Sequence, residues 1–146
     1  MGKHTIVAVS GYFDPLTLGH VEYFNRAKEL GDRLVVILNR DDQLLKNRKG
    51  TRLEGVIRYR LEDRKVTISA LKPVDELVAC IDKDTSVAET IKMIKPDVFA
   101  KGGDRNLSNI PQKEIDACNN EVKCKIICGV GKKTHSSSWY DWEDGT

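Results

Sequence analysis

Short apolar runs alternate with amphipathic stretches along this chain of 146 residues. The strand-like runs are Thr5–Ser10, Leu34–Leu38, Glu76–Ile81, Asp97–Ala100 and Lys125–Val130. The helix-like stretches between them are Val21–Leu30, Leu61–Leu71, Ser86–Ile94 and Pro111–Asn120. Strands that alternate with helices favour right-handed βαβ units and a parallel sheet. We therefore expect an α/β, Rossmann-like fold: a single domain over residues 1–146, with a five-stranded parallel sheet and helices on both faces.

Charge is unevenly distributed along the chain. The formal net charge is only +2 and 40% of the residues are hydrophobic, so the chain can bury a core and is not a polycation. Eight basic residues nevertheless fall between Lys46 and Lys65, against three acidic ones. Such a segment favours a nearby anion, and a solvated basic face is the alternative. Tyr59 is its one aromatic residue and it contains no nucleic-acid motif, so we expect no nucleic-acid partner.

The four cysteines, Cys80, Cys118, Cys124 and Cys128, form no CxxC pair. A free cysteine inside an apolar run, such as Cys80 or Cys128, behaves as a small hydrophobic residue. We expect neither a zinc site nor a structural disulfide. The sequence shows neither the apolar region of a signal peptide nor an apolar run of about 18 residues, so we expect a cytoplasmic protein with no membrane partner.

Local signals mark where two helices begin. Ser86-Val87-Ala88-Glu89 has the spacing of a capping box, in which the serine and the glutamate each bond to the backbone of the other. Pro96 ends that helix, because the residue before a proline is disfavoured in the helical conformation. Pro111 stands at a position where a further helix is expected to start.

The segment Gly11–His20, with the sequence GYFDPLTLGH, joins the first strand to the first helix. Ligands of an open parallel sheet bind beyond the carboxyl ends of its strands, and free N–H groups at a helix start favour phosphate. We expect Gly11 to permit a backbone conformation that other residues resist, and Gly19 to let a ligand approach closely. His20 can donate a hydrogen bond to a phosphate oxygen, and a capping histidine at a surface turn is the alternative.

Two further segments that follow strand ends contain polar residues: Lys101–Arg105 and Gly129–Ser138. In Lys101–Arg105, the two glycines expose backbone groups that can contact a base edge, Asp104 can accept from a ribose or a base, and Arg105 can bind phosphate. Ser136-Ser137-Ser138, after the fifth strand, are good N-cap residues whose hydroxyls and free N–H groups can hold phosphates. The alternatives are a tight turn with surface charges for the first segment and a bare helix cap for the second.

GYFDPLTLGH resembles the HxGH motif of the cytidylyltransferase-like nucleotidyltransferase superfamily, with threonine in place of the first histidine. The form FDPxTxGH is similar to the corresponding motif of bacterial phosphopantetheine adenylyltransferases. Glu62-Asp63-Arg64-Lys65, followed by Val74–Val78, resembles glycerol-3-phosphate cytidylyltransferase. Pro96–Asp104 resembles both that enzyme and the adenylyltransferase that makes ADP-heptose, and Thr134–Ser138 resembles the C-terminal serine/threonine motif of the superfamily. The matches keep their order and span nearly the whole chain.

This resemblance implies a nucleotidyltransferase, in which an NMP from an NTP is joined to a small phosphorylated acceptor and pyrophosphate leaves. It implies CTP ahead of ATP, Mg²⁺ that arrives with the NTP, and a homodimer. The nucleophile is a phosphate oxygen that is already ionised at neutral pH, so no general base is needed. Catalysis then consists of positioning and electrostatic stabilisation.

The resemblance also implies roles for individual residues. His20 would hydrogen-bond the α-phosphate or the bridging phosphate through the transition state, while Thr17 offers only an uncharged hydroxyl in place of the first histidine. Lys46 or Lys49 would reach the phosphates of both substrates. Arg64 would anchor the acceptor phosphate or the nucleotide, with a surface ion-pair arginine as the alternative. The remaining assignments are nucleotide contacts by Gly11, Tyr12, Phe13, Asp14, Gly19, Lys101, Gly102, Gly103, Asp104, Arg105, Ser136, Ser137 and Ser138, and acceptor-phosphate contacts by Lys132 and Lys133.

Thr17 leaves three hypotheses open. The first is a working cytidylyltransferase, which most of the downstream segments favour. The second is a phosphopantetheine-type adenylyltransferase, in which threonine at this position is compatible with turnover. The third is a nucleotide-binding homologue with reduced or lost turnover.

Overall fold

A computed structural model describes residues 4–103 and 105–131 of the chain. Several predicted ligand contacts lie outside the described residues: those of Asp104, Lys132, Lys133, Ser136, Ser137 and Ser138.

Five parallel strands form one sheet in the order β3-β2-β1-β4-β5. They are β1 (Ile6–Gly11), β2 (Arg33–Leu38), β3 (Glu76–Ala79), β4 (Val98–Gly102) and β5 (Lys125–Val130). The ends of each strand lie within two residues of the ends of the apolar run that predicted it. These runs supply the buried aliphatic residues that a parallel sheet needs on both faces. The predicted five-stranded parallel sheet is confirmed.

Helices cover both faces of the sheet, as predicted. They are α1 (Leu18–Lys28), α2 (Asp41–Arg48), α3 (Leu61–Ser69), α4 (Ala88–Ile94) and α5 (Gln112–Asp116), and α5 continues into a π-helical turn at Ala117–Glu121. On one face, Phe24 of α1 and Ile68 of α3 pack with Val9 of the sheet. On the other face, Ile91 of α4 and Cys118 of the π-helical turn pack with Phe99. The sequence pattern did not predict α2.

All four cysteines are free, and three of them are buried. Across residues 4–103 and 105–131, no helix has the length and apolar character needed to cross a bilayer.

The start of α4 differs from the prediction. Its N-cap is Val87, and no side chain of the cap residue bonds to the helix. The carboxylate of Asp82 instead accepts from the backbone N–H groups of Glu89 (2.7 Å) and Thr90 (3.0 Å). The predicted capping box Ser86–Glu89 is therefore wrong, because a buried carboxylate outside the helix satisfies those donors.

β1 and β4 pair over a much shorter stretch than β1 and β2. β1 registers with β2 through six residue pairs, from Ile6–Arg33 to Gly11–Leu38, but with β4 only at Val7–Val98 and Ala8–Phe99. The carboxyl ends, Ser10–Gly11 on β1 and Lys101–Gly102 on β4, lie past the last registered pair. We call this opening the β1–β4 crevice. It is also the point at which the strand order reverses, where ligands of open α/β sheets bind.

Candidate functional site

Thr17 and His20 bond to each other at the start of α1. The hydroxyl of Thr17 accepts from the backbone N–H of His20 at 3.3 Å, and Nδ1 of His20 accepts from the backbone N–H of Thr17 at 3.0 Å. This is a capping box in which histidine takes the place of glutamate or glutamine. Because Nδ1 is an acceptor, the neutral ring carries its proton on Nε2, which remains available as a donor.

Burial keeps the His20 ring uncharged. Desolvation lowers the pKa of His20 to about 4, and the rings of His20 and Phe13 pack in a T-shaped arrangement with centroids 4.9 Å apart. A second proton, on Nδ1, would face the N–H of Thr17, and the repulsion between these two hydrogens also favours the neutral ring. At neutral pH the side chain is therefore a fixed hydrogen-bond donor and not a cation.

Phe13 explains why position 11 is glycine. Phe13 is buried and has a φ of 52°, a left-handed conformation that costs a non-glycine residue about 1–3 kcal/mol. Its ring lies so close to Gly11 that a Cβ there would be 2.7 Å from Cζ. Gly11 itself is not in the left-handed region, so the predicted reason for this glycine is wrong. The position needs space for a ring, and the unusual backbone belongs to Phe13.

The side chain of Asp14, predicted to contact the nucleotide, is fully buried and bonded within the protein. Its carboxylate accepts from the guanidinium of Arg48 (2.9 Å) and from the backbone N–H groups of Arg58 (2.9 Å) and Tyr59. These contacts tie Gly11–His20 to the end of α2 and to the loop that leads into α3. The structure gives the carboxylate a scaffolding role, and a nucleotide contact by Asp14 stays a prediction.

Arg64 is likewise buried, with 2% of its surface exposed. Its guanidinium donates to the carbonyl oxygens of Tyr12 (2.8 Å), Asn39 (2.8 Å) and Tyr59 (2.9 Å), and to the carboxylate of Asp41 (2.6 Å). The alternative of a surface ion-pair residue is therefore wrong. Arg64 joins the segments after β1 and β2, and its acceptor-phosphate role stays a prediction.

Lys46 and Lys49 are exposed at the carboxyl end of α2 and just beyond it. The ammonium of Lys46 donates to the carbonyl of Lys83 at 3.0 Å, beside an open groove of about 870 Å³. Residues of the loop after β3, of α4, of α5 and of the π-helical turn line the rest of this groove, and neither His20 nor Lys101 is among them. No contact of Lys46 with His20 appears among the described residues, so its role at the phosphates stays a prediction.

Lys101 lies at the β1–β4 crevice with 7% of its surface exposed. Its ammonium donates to the hydroxyl of Ser10 at 3.3 Å and lies 4.8 Å from the centroid of the Phe99 ring. Glu114 of α5 faces it, with 3.7 Å between Nζ and Oε1. Burial lowers the pKa of Lys101 and raises that of Glu114.

Glu114 was missed by the sequence reasoning. Ala117 and Cys118, three and four positions after Glu114, are both buried, and this helical spacing places position 114 on the same inner face. A carboxylate on the same face as these apolar residues was the available signal, since such a group needs a partner.

The turn after β4 is open, as the two glycines suggested. A Cβ on Gly102 would meet nothing within 4 Å, and Gly103 is exposed. The backbone N–H of Arg105 donates to the carbonyl of Gly102 at 3.0 Å, and the Arg105 guanidinium donates to the carbonyl of Asn109 at 2.9 Å.

Tyr12, predicted to contact the nucleotide, is half-buried just after β1. Burial raises the pKa of Tyr12 to about 12, so its phenol stays protonated.

No group of three or more His, Cys, Asp or Glu side chains within residues 4–103 and 105–131 could hold a metal ion. The described donor set therefore does not form a resident metal site.

The chain is similar to known proteins in sequence and in fold. The model of a family described as cytidylyltransferase-like matches residues 8–129. "Bifunctional protein HldE" from Helicobacter hepaticus is 41% identical over 111 residues, which cover 75% of this chain and 21% of that protein. "FAD synthase" from Thermococcus sibiricus is 37% identical over 126 residues, which cover 86% of this chain and 76% of that protein.

A solved structure has a similar fold. The "lipopolysaccharide core biosynthesis protein" of Thermoplasma volcanium superposes with a TM-score of 0.71 at 29% identity, and the match covers 90% of this chain and all of that one. The chain thus spans about a fifth of the HldE protein that it matches and most of the FAD synthase.

Proposed function

The chain belongs to the cytidylyltransferase-like family, and on that premise we propose that it is a nucleotidyltransferase. It transfers an NMP from an NTP to a small phosphorylated acceptor and releases pyrophosphate. The observation that carries the proposal is the fixed Nε2–H donor of His20, located at a helix start that follows the carboxyl end of β1.

The proposed reaction needs no proton transfer. An ionised oxygen of the acceptor phosphate forms a bond to the α-phosphorus of the NTP, while the bond from that phosphorus to the pyrophosphate oxygen breaks. His20 donates a hydrogen bond to a phosphate oxygen as charge builds around the phosphorus. The free N–H groups at the start of α1 add a partial positive charge at the same place.

Positive charge is available near the crevice. The buried ammonium of Lys101 and the exposed side chain of Arg105 lie at its β4 side. Lys46 near the end of α2 and Lys49 just beyond it supply further cations, and they would approach the phosphates only once substrates are bound. We propose that Mg²⁺ binds as part of the NTP complex and neutralises part of its charge.

The base of the NTP has two candidates. The resemblance of the motifs favours CTP over ATP. The name FAD synthase favours ATP, because FAD contains an adenylate. An open Gly102-Gly103 backbone can bond to either base, so the choice rests on the assay.

The test is pyrophosphate release with each of the four NTPs, in pairwise combination with sugar, polyol, pantetheine and flavin phosphates. One pair should give turnover, and His20→Ala should lower its kcat/KM by roughly 100-fold or more. His4→Ala is the matched control, because His4 is exposed and lies before β1. An unchanged rate in His20→Ala would show that the site is misassigned.

A second candidate is a nucleotide-binding homologue without turnover. The observation that favours it is the engagement of the Thr17 hydroxyl in the helix cap, where the related motif has a histidine. NTP binding without pyrophosphate release from any pair would support this candidate. Thr17→His should raise the rate in a cytidylyltransferase-type site and change little in a phosphopantetheine-type site.

A homodimer is proposed from the resemblance alone. Sedimentation equilibrium of the purified chain distinguishes it from a monomer by mass.

A further inference from the structure

Lys101 and Glu114 form a buried ion pair at the β1–β4 crevice. Their side chains are 8% and 5% exposed, and Nζ lies 3.7 Å from Oε1. At this distance the two groups attract each other by charge but do not form a direct hydrogen bond. A buried ammonium is costly without a counter-charge, and Glu114 supplies one.

The carboxylate of Glu114 is fixed from its other side. Oε2 accepts from the backbone N–H of Val87, the N-cap residue of α4, at 3.0 Å. Oε1 has no hydrogen-bond partner among the described residues. The carboxylate therefore joins α5, the start of α4 and β4 at a single point.

The ammonium of Lys101 reaches from β4 to β1. Its bond to the hydroxyl of Ser10 uses one of its three N–H groups. Ser10 immediately precedes Gly11–His20, and Lys101 immediately precedes Gly102-Gly103. The ammonium thus lies where both of these segments begin, and nucleotide contacts are proposed for both.

We propose that Glu114 is a positioning residue for nucleotide binding: its carboxylate holds the Lys101 ammonium at the β1–β4 crevice, where the ammonium attracts the anionic nucleotide. The inference rests on the proposed function, because it takes an NTP as the ligand. Glu114 itself does not touch the nucleotide and acts through Lys101.

Other charged or titratable side chains interact electrostatically with Lys101 or Glu114. They are Arg105 in the loop after β4, Cys128 on β5, Asp82 before α4, Tyr12 after β1, Tyr23 on α1 and Cys118 in the π-helical turn. Burial lowers the pKa of Lys101, and the charge of Glu114 opposes that shift. Removal of that charge therefore favours loss of the proton from Lys101.

The experiment measures binding of Mg²⁺-ATP and Mg²⁺-CTP to the full chain by calorimetry, with no acceptor present. Glu114→Gln retains an oxygen for the N–H of Val87 and removes the charge. We expect its Kd to be about tenfold higher than that of the wild type near pH 8, and the difference from the wild type to be smaller near pH 6, because a lower pH favours the protonated form of Lys101. A purely structural role would not produce this pH dependence.

The matched control is Asp116→Asn, which removes the same charge from an exposed position on the same helix. Its affinity should stay within about twofold of the wild type at both pH values, because an exposed charge is screened. An equal loss of affinity in Asp116→Asn would attribute the effect to net charge and overturn the proposal.

A double-variant comparison tests whether Glu114 acts through Lys101. Lys101→Gln and Lys101→Gln/Glu114→Gln should bind NTP equally weakly, and the comparison stands even if Glu114→Gln alone fails to fold, since neutral replacement of both partners is often tolerated. A further loss from the second substitution would overturn the proposal. So would tighter binding by Glu114→Gln, which would mean that the carboxylate only repels the ligand.

Two failures remain distinguishable. If the wild-type chain binds no NTP, the proposed function fails and the inference fails with it. If the wild type binds NTP and Glu114→Gln binds equally well at both pH values, only the inference fails.

Discussion

Substitution of Asp14 by alanine tests whether its carboxylate supports the fold or contacts the nucleotide. The side chain of Asp14 is fully buried, and that of Arg48 is 9% exposed. Asp14→Ala removes the carboxylate that pairs with the Arg48 guanidinium and that accepts from the backbone N–H groups of Arg58 and Tyr59. Loss of one partner of a buried ion pair costs about 3–5 kcal/mol.

We therefore expect Asp14→Ala to lower the free energy of unfolding by about 4 kcal/mol, and Tm by roughly 10 °C for a chain of this size. Urea and thermal unfolding followed by circular dichroism measure both quantities. Asp63→Ala, at an exposed position of α3, is the matched control and should cost less than about 1 kcal/mol.

Asp14→Asn retains one oxygen acceptor and should lose roughly half as much stability as Asp14→Ala. Its free energy of unfolding provides the test if the alanine variant does not fold. The reasoning is refuted if Asp14→Ala unfolds with nearly wild-type stability but no longer binds NTP, since the carboxylate would then act on the ligand.

Three further predictions concern the same segment. Gly11→Ala should lose about 1–3 kcal/mol of stability because its Cβ would lie 2.7 Å from the Phe13 ring, while Gly102→Ala, with open space around it, should change stability by less than about 0.5 kcal/mol; equal costs in urea unfolding would contradict this. The pKa of His20 in an NMR titration should lie near 4, and because the unfolded chain then binds the proton more tightly, the free energy of unfolding should fall as the pH drops from about 6.5 towards 4. His20→Gln should lack that part of the pH dependence, and an identical pH profile in both proteins would argue against a buried neutral ring. Thr17→Ala should cost about 1 kcal/mol of stability through the lost cap while Thr17→Ser costs little, and thermal unfolding that ranks them otherwise would disprove the capping role.

The sheet could be predicted from the sequence because its strands are apolar runs with polar ends. α2 could not, since Leu44 and Leu45 are its only large apolar residues. Its buried side instead contains Gln43 and Arg48, which are satisfied by hydrogen bonds to residues more than 30 positions away. Hydrophobic periodicity does not detect a helix that buries polar groups.

The contact between Thr17 and His20 is local and has the spacing of a known helix cap. Because histidine replaces the usual glutamate, the sequence left two interpretations of His20, a phosphate contact and a helix cap. The structure shows the cap, and the phosphate contact stays a prediction. Asp14 and Arg64 had the residue types of ligand contacts, and their buried partners lie far along the chain. A single sequence does not distinguish a carboxylate or guanidinium that binds substrate from one that binds the fold.

The short ladder between β1 and β4 has a consequence for cohesion. With two registered pairs at the centre of the sheet, against six between β1 and β2, the two halves of the sheet are joined by few backbone bonds. A nucleotide that contacts Gly11–His20 on one side and Gly102–Arg105 on the other would link the two halves of the sheet across the β1–β4 crevice. Saturation with ligand at about 100 times its Kd would add about 2.7 kcal/mol of stability, and the slowing of amide hydrogen exchange should be concentrated in β1 and β4.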